Sequence, residues 1–266
     1  MEVHTDPINS VSINSTEDLA LTGSMDKKLR VFALESNNLR FLYELGGHQS
    51  EVTKAIFIGG TDMIASADFT GNLLLWVMDS KKHVLKQRIK VFEGAITSLA
   101  GQFNKDATVF CGCADGKIRA YKVTDTEYGA TEMSSNEYGV TCLSCNDEYL
   151  VSGGIDFRVN LYGNNQLLET CADHENRVND VAVCPSNKFG VFCFASCSDD
   201  KSVIIYTKEK DGYKKQRIDI GEECYELCFS KTGFCLTVGY GKNNFKAFVP
   251  DENGNFKETE VEDIVN

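Results

Sequence analysis

Apolar and polar positions recur along this chain in one arrangement, repeated six times: a run of small residues, a turn position, then an aliphatic strand that closes on an aromatic. The stretches run from Ser24-Met25-Asp26 to Phe32, from Asp68-Phe69-Thr70 to Trp76, from Cys113-Ala114-Asp115 to Tyr121, from Gly154-Ile155-Asp156 to Tyr162, from Ser198-Asp199-Asp200 to Tyr206, and from Tyr240-Gly241-Lys242 to Phe248. Their turn positions, 26, 70, 115, 156, 200 and 242, are separated by 44, 45, 41, 44 and 42 residues. A period of this length built from short strands is that of a β-propeller, because one such sheet buries its faces only against neighbouring copies. The pattern predicts a repeat scaffold whose function lies in its surfaces.

The last two repeats show the strand order. In the fifth, Val178 to Cys184 is a strand, Val191 to Ser196 follows the turn Pro185-Ser186-Asn187-Lys188, and Ser202 to Thr207 follows the hairpin Asp199-Asp200-Lys201. Asp211-Gly212 then turns the chain into an outer strand, Tyr213 to Ile218. The sixth repeats this with Tyr225 to Ser230, Cys235 to Gly239, Phe245 to Val249 and, after Asn253-Gly254, Asn255 to Val261. The same reading places blade 1 at about 8–45, blade 2 at about 52–91, blade 3 at about 95–134, blade 4 at about 140–171, blade 5 at about 178–218 and blade 6 at about 224–262. Blade 3 ends on its weakest strand, Tyr128 to Met133.

Blades 1 and 6 each own a fourth strand, Leu39 to Leu45 and Asn255 to Val261, and Met1 to Pro7 is too short and polar to complete a sheet. Neither terminus is left to close the ring through the other's blade. The expectation is one all-β domain over 1–266, a six-bladed propeller without a strand-exchange latch. Its facing end sheets would carry Ile8, Val11 and Ile13 on blade 1 and Leu227, Phe229 and Val238 on blade 6, an apolar surface that calls for a cover.

Composition narrows the function. Hydrophobic residues make up 42% of 266 positions, ample for a large core. The first seven residues contain no apolar stretch of the signal-peptide kind, and no run of about eighteen apolar residues occurs, which predicts a soluble, unexported chain. Lys and Arg number 27 against 39 Asp and Glu, and the net charge of −12 repels a phosphate backbone, so nucleic acid is not an expected partner. Of eleven cysteines, Cys111, Cys113, Cys142, Cys193, Cys197, Cys224, Cys228 and Cys235 fall in apolar strands and read as buried thiols of a reducing compartment. Cys142 and Cys145 are three apart on a strand and point to opposite faces, and four scattered His complete no tetrahedral site, so no metal or cofactor is expected. Asn14-Ser15-Thr16 reads as a turn.

The repeats resemble the WD-repeat family, in which a Gly-His pair leads into each blade, an Asp sits in the hairpin before the third strand, and Trp-Asp ends that strand. The pair stands here as Gly47-His48, with a relative in Asp173-His174. The hairpin Asp stands at Asp26, Asp115, Asp156 and Asp200, with Thr70 and Lys242 in its place in blades 2 and 6, and the Trp survives only at Trp76. In the family these positions form an internal hydrogen-bond network, so His48, His174 and the four Asp are expected to be structural. Paired His and Asp without an ordered nucleophile make no catalytic triad. No Ser stands in a nucleophile elbow and no carboxylate cluster recurs at inner strand ends, so no enzyme is expected.

Within that family, Arg177-Val178-Asn179-Asp180-Val181-Ala182-Val183-Cys184-Pro185, Ser196 to Thr207, Asp211 to Lys215, and the tail with Phe229 to Gly233, Asn243 to Phe248 and Asn253 to Phe256 are similar to the Sec-thirteen family. The chain departs from it where Tyr162, Tyr206 and Phe248 replace Trp, where Val183 replaces the Trp of a Val-Ala-Trp-Ser-Pro segment, and in trimmed loops. The resemblance implies an open six-bladed propeller whose seventh blade comes from a larger helical-solenoid partner, either the long COPII cage subunit or a Y-complex nucleoporin. It implies a scaffold in ER-to-Golgi vesicle coats, the nuclear pore, or both, cytoplasmic or at the nuclear envelope, with no direct membrane insertion. Two alternatives stay open: the sister open six-bladed propeller of the nuclear pore and the nutrient-sensing complex, and a WD-repeat adaptor that reads a peptide.

Overall fold

A computed structural model describes residues 4–35, 38–103, 107–123, 130–133, 136–185 and 191–260. Their regular structure is all β, in six four-stranded antiparallel sheets, each made of four consecutive strands. Blade 1 is β1–β4, Ile8–Ile13, Leu19–Ser24, Lys28–Glu35 and Asn38–Gly46. Blade 2 is β5–β8, Val52–Phe57, Ile64–Asp68, Asn72–Asp79 and Lys82–Lys90. Blade 3 is β9–β12, Ile96–Phe103, Ala107–Cys113, Ile118–Lys122 and Thr131–Met133. Blade 4 is β13–β16, Val140–Cys145, Tyr149–Gly154, Val159–Gly163 and Gln166–Cys171. Blade 5 is β17–β20, Val178–Val183, Cys193–Ser198, Ser202–Glu209 and Gly212–Asp219. Blade 6 is β21–β24, Cys224–Phe229, Leu236–Tyr240, Asn244–Pro250 and Phe256–Thr259. Blades 1 to 3 make one compact unit, residues 1–134, and blades 4 to 6 another, residues 135–266.

Several ends differ from the sequence expectation. The second strand of blade 5 starts at Cys193 rather than Val191, and its turn at 186–188 lies outside the described residues, as do 128–129, 134 and 261–262. Strand β12 keeps three residues, because Thr131 to Met133 pair with Ile118 to Ala120.

One hairpin geometry recurs between the second and third strands of every blade. The residue after each turn position has positive φ: Lys27 at 70°, Gly71 at 83°, Gly116 at 84°, Phe157 at 68°, Lys201 at 68° and Asn243 at 65°. A left-handed residue closing a short hairpin sets its register, and Phe157 is a costly choice there because its Cβ crowds the backbone. Five of these residues donate their main-chain N–H to the carbonyl three positions back, as Lys27 does to Ser24 at 3.2 Å and Lys201 to Ser198 at 3.2 Å.

Within each unit every blade after the first packs a front face on the back face of the blade before it in the chain. In the first unit, Leu21, Leu29, Val31 and Leu45 from the back of blade 1 cluster with Ala55, Phe57, Ile64, Leu74 and Trp76 from the front of blade 2. The back of blade 2 meets Leu99, Val109, Cys111 and Tyr121 of blade 3. In the second unit, Val151, Val159 and Leu161 of blade 4 meet Val181, Val183, Phe194, Ile204 and Tyr206 of blade 5, whose own back covers the front of blade 6. Contact is close at Gly153, where a Cβ would lie 2.6 Å from both Cys142 Sγ and Val178 Cγ1, so a side chain there would force the blades apart.

Candidate docking face and the polar struts behind it

Blade 2 holds a four-member chain of hydrogen bonds. Trp76 Nε1 donates to Ser66 Oγ at 2.9 Å, the Ser66 hydroxyl donates to His48 Nε2 at 2.7 Å, and His48 Nδ1 donates to Asp68 Oδ2 at 3.0 Å. The two inner members, Ser66 and His48, each give one proton and take one, an arrangement that puts an imidazole proton on Nδ1 facing Asp68. The carboxylate is Asp68, two residues before the position expected from the repeat spacing. Thr70 instead donates to it from its main-chain N–H at 3.0 Å and its hydroxyl at 2.9 Å. The two-residue shift is tolerated because Asp68, the last residue of its strand, still spans the hairpin and takes Asn72 N on its far side at 3.1 Å.

Blade 5 uses Asp200 at the expected position. His174 Nδ1 donates to Asp200 Oδ2 at 2.8 Å and the Ser196 hydroxyl donates to Nε2 at 2.7 Å, while the Tyr206 hydroxyl turns to Asp173 at 3.3 Å. Blade 1 builds the same strut from a residue that sequence reasoning passed over. His4 Nδ1 donates to Asp26 Oδ2 and Thr22 donates to His4 Nε2, both at 2.7 Å. The 22-residue separation of His4 and Asp26, between the 20 of His48–Asp68 and the 26 of His174–Asp200, was the available signal. Blade 4 replaces the imidazole with an amide: Asn136 Nδ2 donates to Asp156 at 2.7 Å and Ser152 donates to Asn136 Oδ1 at 3.2 Å. Gly154 leaves the room that Asn136 occupies, since a Cβ would collide with it. Blade 3 replaces it with a cation, Arg119, whose Nη1 and Nη2 reach Asp115 at 3.2 and 2.8 Å.

In blades 1, 4 and 5 the Asp also holds its hairpin to a main-chain N–H of the loop entering the blade. Asp200 accepts from Glu175 N and from Ser202 N, each at 3.0 Å, and Asp156 accepts from Glu137 N at 3.0 Å. A repeated tetrapeptide absent from the sequence expectation adds a second brace. Lys86-Gln87-Arg88-Ile89 and Lys215-Gln216-Arg217-Ile218 occupy the outer strands of blades 2 and 5, where Arg88 donates to the Gly47 carbonyl and Arg217 to that of Asp173 at 3.1 Å. Both carbonyls precede the strut histidine.

Electrostatics follows from these contacts. Burial is the largest influence on Asp200 and pushes its carboxyl up, but Ser202, Glu175 N and His174 together outweigh it and bring the pKa to about 2. Asp68 is held lower still against the same burial, by His48, Thr70 and Asn72. Burial pushes His174 down, against the pull of Asp200.

Ser66 with His48 and Asp68, and Ser196 with His174 and Asp200, reproduce the contacts of a hydrolytic triad. Both hydroxyls are fully buried, and that of Ser66 already accepts the Trp76 N–H. A nucleophile must be reached by its substrate, so the arrangement braces the sheet. Among the described residues no group of three or more His, Cys, Asp or Glu is placed to hold a metal ion. All eleven cysteines are free thiols, and Cys228, expected inside, is exposed because it lies between inward Leu227 and Phe229 on an alternating strand.

The six apolar residues expected on facing end sheets separate into two groups. Val11 and Ile13 are 61% and 54% exposed, with Ile8 at 52% beside them. Register shows why: Val11 pairs through Thr22 and Arg30 to Glu44, and Ile13 through Ala20 and Phe32 to Phe41, two rows on the front of blade 1. The alternate residues Ser10 and Ser12 turn to blade 2, bonding Ala55 O at 2.8 Å and Phe57 N at 3.1 Å. Leu227, Phe229 and Val238 are instead buried in the cluster that joins blades 5 and 6. They occupy on blade 6 the places Val11, Ile13 and Thr22 occupy on blade 1, and fronts turn toward the preceding blade. The back of blade 6 carries Glu226, Cys228 and Phe245, the last 64% exposed.

The repeated hairpins, braced sheets and front-to-back packing define a β-propeller of WD repeats. The WD domain, G-beta repeat family matches residues 1–32, 86–122, 130–162 and 165–207, more than half of the chain, and the chain belongs to that family. Human angio-associated migratory cell protein is 30% identical over 122 residues, and the chain spans 46% of itself and only 26% of that protein's length in the match. Protein transport protein sec13 of Aspergillus fumigatus is 22% identical over 282 residues, covering 91% of each chain. The solved RRP9 WD40 repeats superpose with a TM-score of 0.78 at 18% identity, over 91% of this chain and 75% of that one, a likeness of fold.

Proposed function

We propose that the chain is a non-enzymatic scaffold subunit, a six-bladed propeller that accepts a blade from an elongated helical-solenoid partner on the front of blade 1. The observation that carries this is the state of Val11 and Ile13. Their counterparts Ala55 and Phe57 of blade 2, Leu99 of blade 3, Val181 and Val183 of blade 5, and Leu227 and Phe229 of blade 6 are all buried under the preceding blade. Covering Val11 and Ile13 from their half-exposed state would contribute about 2–3 kcal/mol. Full-length similarity to sec13, a transport protein by name, supports a place in the COPII coat of ER-to-Golgi vesicles, in the nuclear-pore Y complex, or in both. The location that goes with this is cytoplasmic, on ER-derived coats or at the nuclear envelope.

Reconstitution with a purified blade-donating segment of the long COPII cage subunit, and separately of a Y-complex nucleoporin, tests it. Ile13→Asp puts a carboxylate against an apolar sheet and is expected to abolish capture while circular dichroism stays that of the native chain. Capture by neither segment, or capture indifferent to Ile13→Asp, overturns the reading. A peptide-reading adaptor is the second reading, favoured by Phe69, which is 60% exposed on a hairpin fixed by its own N–H bond to Glu51 O at 3.0 Å. Phe69→Ala separates the two, since it would remove peptide binding and leave blade capture intact.

A further inference from the structure

Arg30 is the one buried side chain among the described residues with an unpartnered nitrogen, its Nη1. Buried donors without partners are rare and ask for an explanation. The matching residue of blade 3 supplies one. Both arginines sit on the front face in equivalent rows, Val11-Thr22-Arg30-Glu44 and Leu99-Cys111-Arg119-Glu132. Each lies four residues after its hairpin Asp, Asp26 or Asp115. Arg119 spends Nη1 and Nη2 on Asp115 and keeps Nε 3.3 Å from Glu132. Arg30 turns both Nε and Nη2 to Glu44, at 3.4 and 3.1 Å, and leaves Nη1 over.

The difference lies in Asp26, which in this structure is already taken. His4 holds its Oδ2 at 2.7 Å, with Thr5 N at 3.3 Å, and Lys28 N holds Oδ1 at 3.0 Å. His4 belongs to a short strap, His4 to Pro7, that crosses the blade 1 hairpin and takes Ser24 Oγ on Asp6 O and Met25 N on Pro7 O, both at 3.0 Å. We propose that Asp26 has two exchangeable partners: His4 when the strap is seated, and Arg30, in the bidentate manner of Arg119, when the strap lifts away. The spare Nη1 is then the donor held in reserve. The strap can leave blade 1 without abandoning a buried carboxylate, which blade 2 could not do, because the position of Arg30 holds Leu74 there; in blade 5 it holds Ile204, and Arg217 Nη2 reaches Asp200 Oδ2 from the outer strand at 3.4 Å. Seating and release of the strap is thereby a built-in two-state element at the edge of the front face, and it does not depend on what docks there.

The test compares His4→Ala with His48→Ala in thermal unfolding, each alone, and His4→Ala again in an Arg30→Gln background; His48 serves because no cation meets its partner Asp68 among the described residues. The exchange predicts that His4→Ala lowers the midpoint by less than half of the His48→Ala shift, and that the full shift returns once Arg30 is gone. Equal shifts for His4→Ala in both backgrounds overturn it, as does a His4→Ala loss as large as that of His48→Ala. Nitrogen-15 spectra of the arginine side chains read the same event in His4→Ala alone, should Arg30→Gln fail to fold. The Arg30 Nε resonance must then move and its guanidinium rotation must slow to that of Arg119; an unmoved resonance refutes the proposal.

Discussion

Replacing Asp200 by Ala isolates the contribution of one strut. The carboxylate is 3% exposed and accepts His174 Nδ1 at 2.8 Å, Ser202 Oγ at 2.6 Å, and the main-chain N–H groups of Ser202 and Glu175. Glu175 lies at the surface and regains water, whereas His174 and Ser202 stay buried with donors stranded. Two stranded buried donors cost about 2–4 kcal/mol. Proton linkage gives a second route to the figure: a carboxyl moved from 3.8 to about 2 contributes about 2 kcal/mol at neutral pH. Both routes place the loss near 2–3 kcal/mol, or about 5–10 °C in midpoint for a chain of this size. The folded pKa is depressed, so this stability is present above the unfolded value of 3.8 and is lost as pH falls through the folded value near 2. Thermal unfolding followed by circular dichroism at pH 7, 4.5 and 3 should show the gap between parent and variant narrowing only below about pH 4. A midpoint difference under about 2 °C at pH 7, or one that already closes between pH 7 and 4.5, would refute the strut.

Three further outcomes follow from the same geometry. His174 and His83 are both pushed below the ordinary value of 6.5 by burial, so their neutral forms favour folding; urea midpoints should fall as pH drops from 7.5 to 5, and a flat profile contradicts this. Phe229→Ala, buried between blades 5 and 6, should cost about 3–5 kcal/mol in denaturant titration, whereas Phe245→Ala on the open back of blade 6 should cost under about 1 kcal/mol. In the native state a thiol reagent should modify Cys228 ahead of the other ten cysteines, which mass spectrometry of the labelled peptide would show, and first labelling at Cys197 or Cys111 would contradict the burial described.

The blade count and strand order were legible because period-2 alternation and turn chemistry are local properties. The direction a face turns is not local. Alternation separates Leu227 and Phe229 from Glu226 and Cys228, yet nothing in that pattern says which set meets the preceding blade. Sequence reasoning chose equivalent positions on blades 1 and 6, and identical sheets packed front to back cannot leave both of those faces free. His4 and Asp68 were missed for a related reason: spacing assumes a constant hairpin, while a carboxylate two residues early can still span it. Asp68 sits two residues early at the end of its strand, and its hydrogen bonds close as well as those of Asp200.

The struts also explain how the repeats diverged without losing the hairpin. What every blade from 1 to 5 keeps is a carboxylate tied to the turn; what varies is the side chain that meets it, an imidazole in blades 1, 2 and 5, an amide in blade 4 and a guanidinium in blade 3. Imidazole and amide arrive from the loop before the blade and therefore tie that loop down. The guanidinium arrives from the third strand of the same sheet and leaves the entering loop without that bond. Blade 3 thus shows that a WD sheet keeps its hairpin with no bond from the Asp carboxylate to the leading loop, which is held there by Ala114 N on Ala95 O at 3.1 Å, and blade 1, which carries both kinds of partner, is the blade in which the carboxylate's bond to the loop can be a choice.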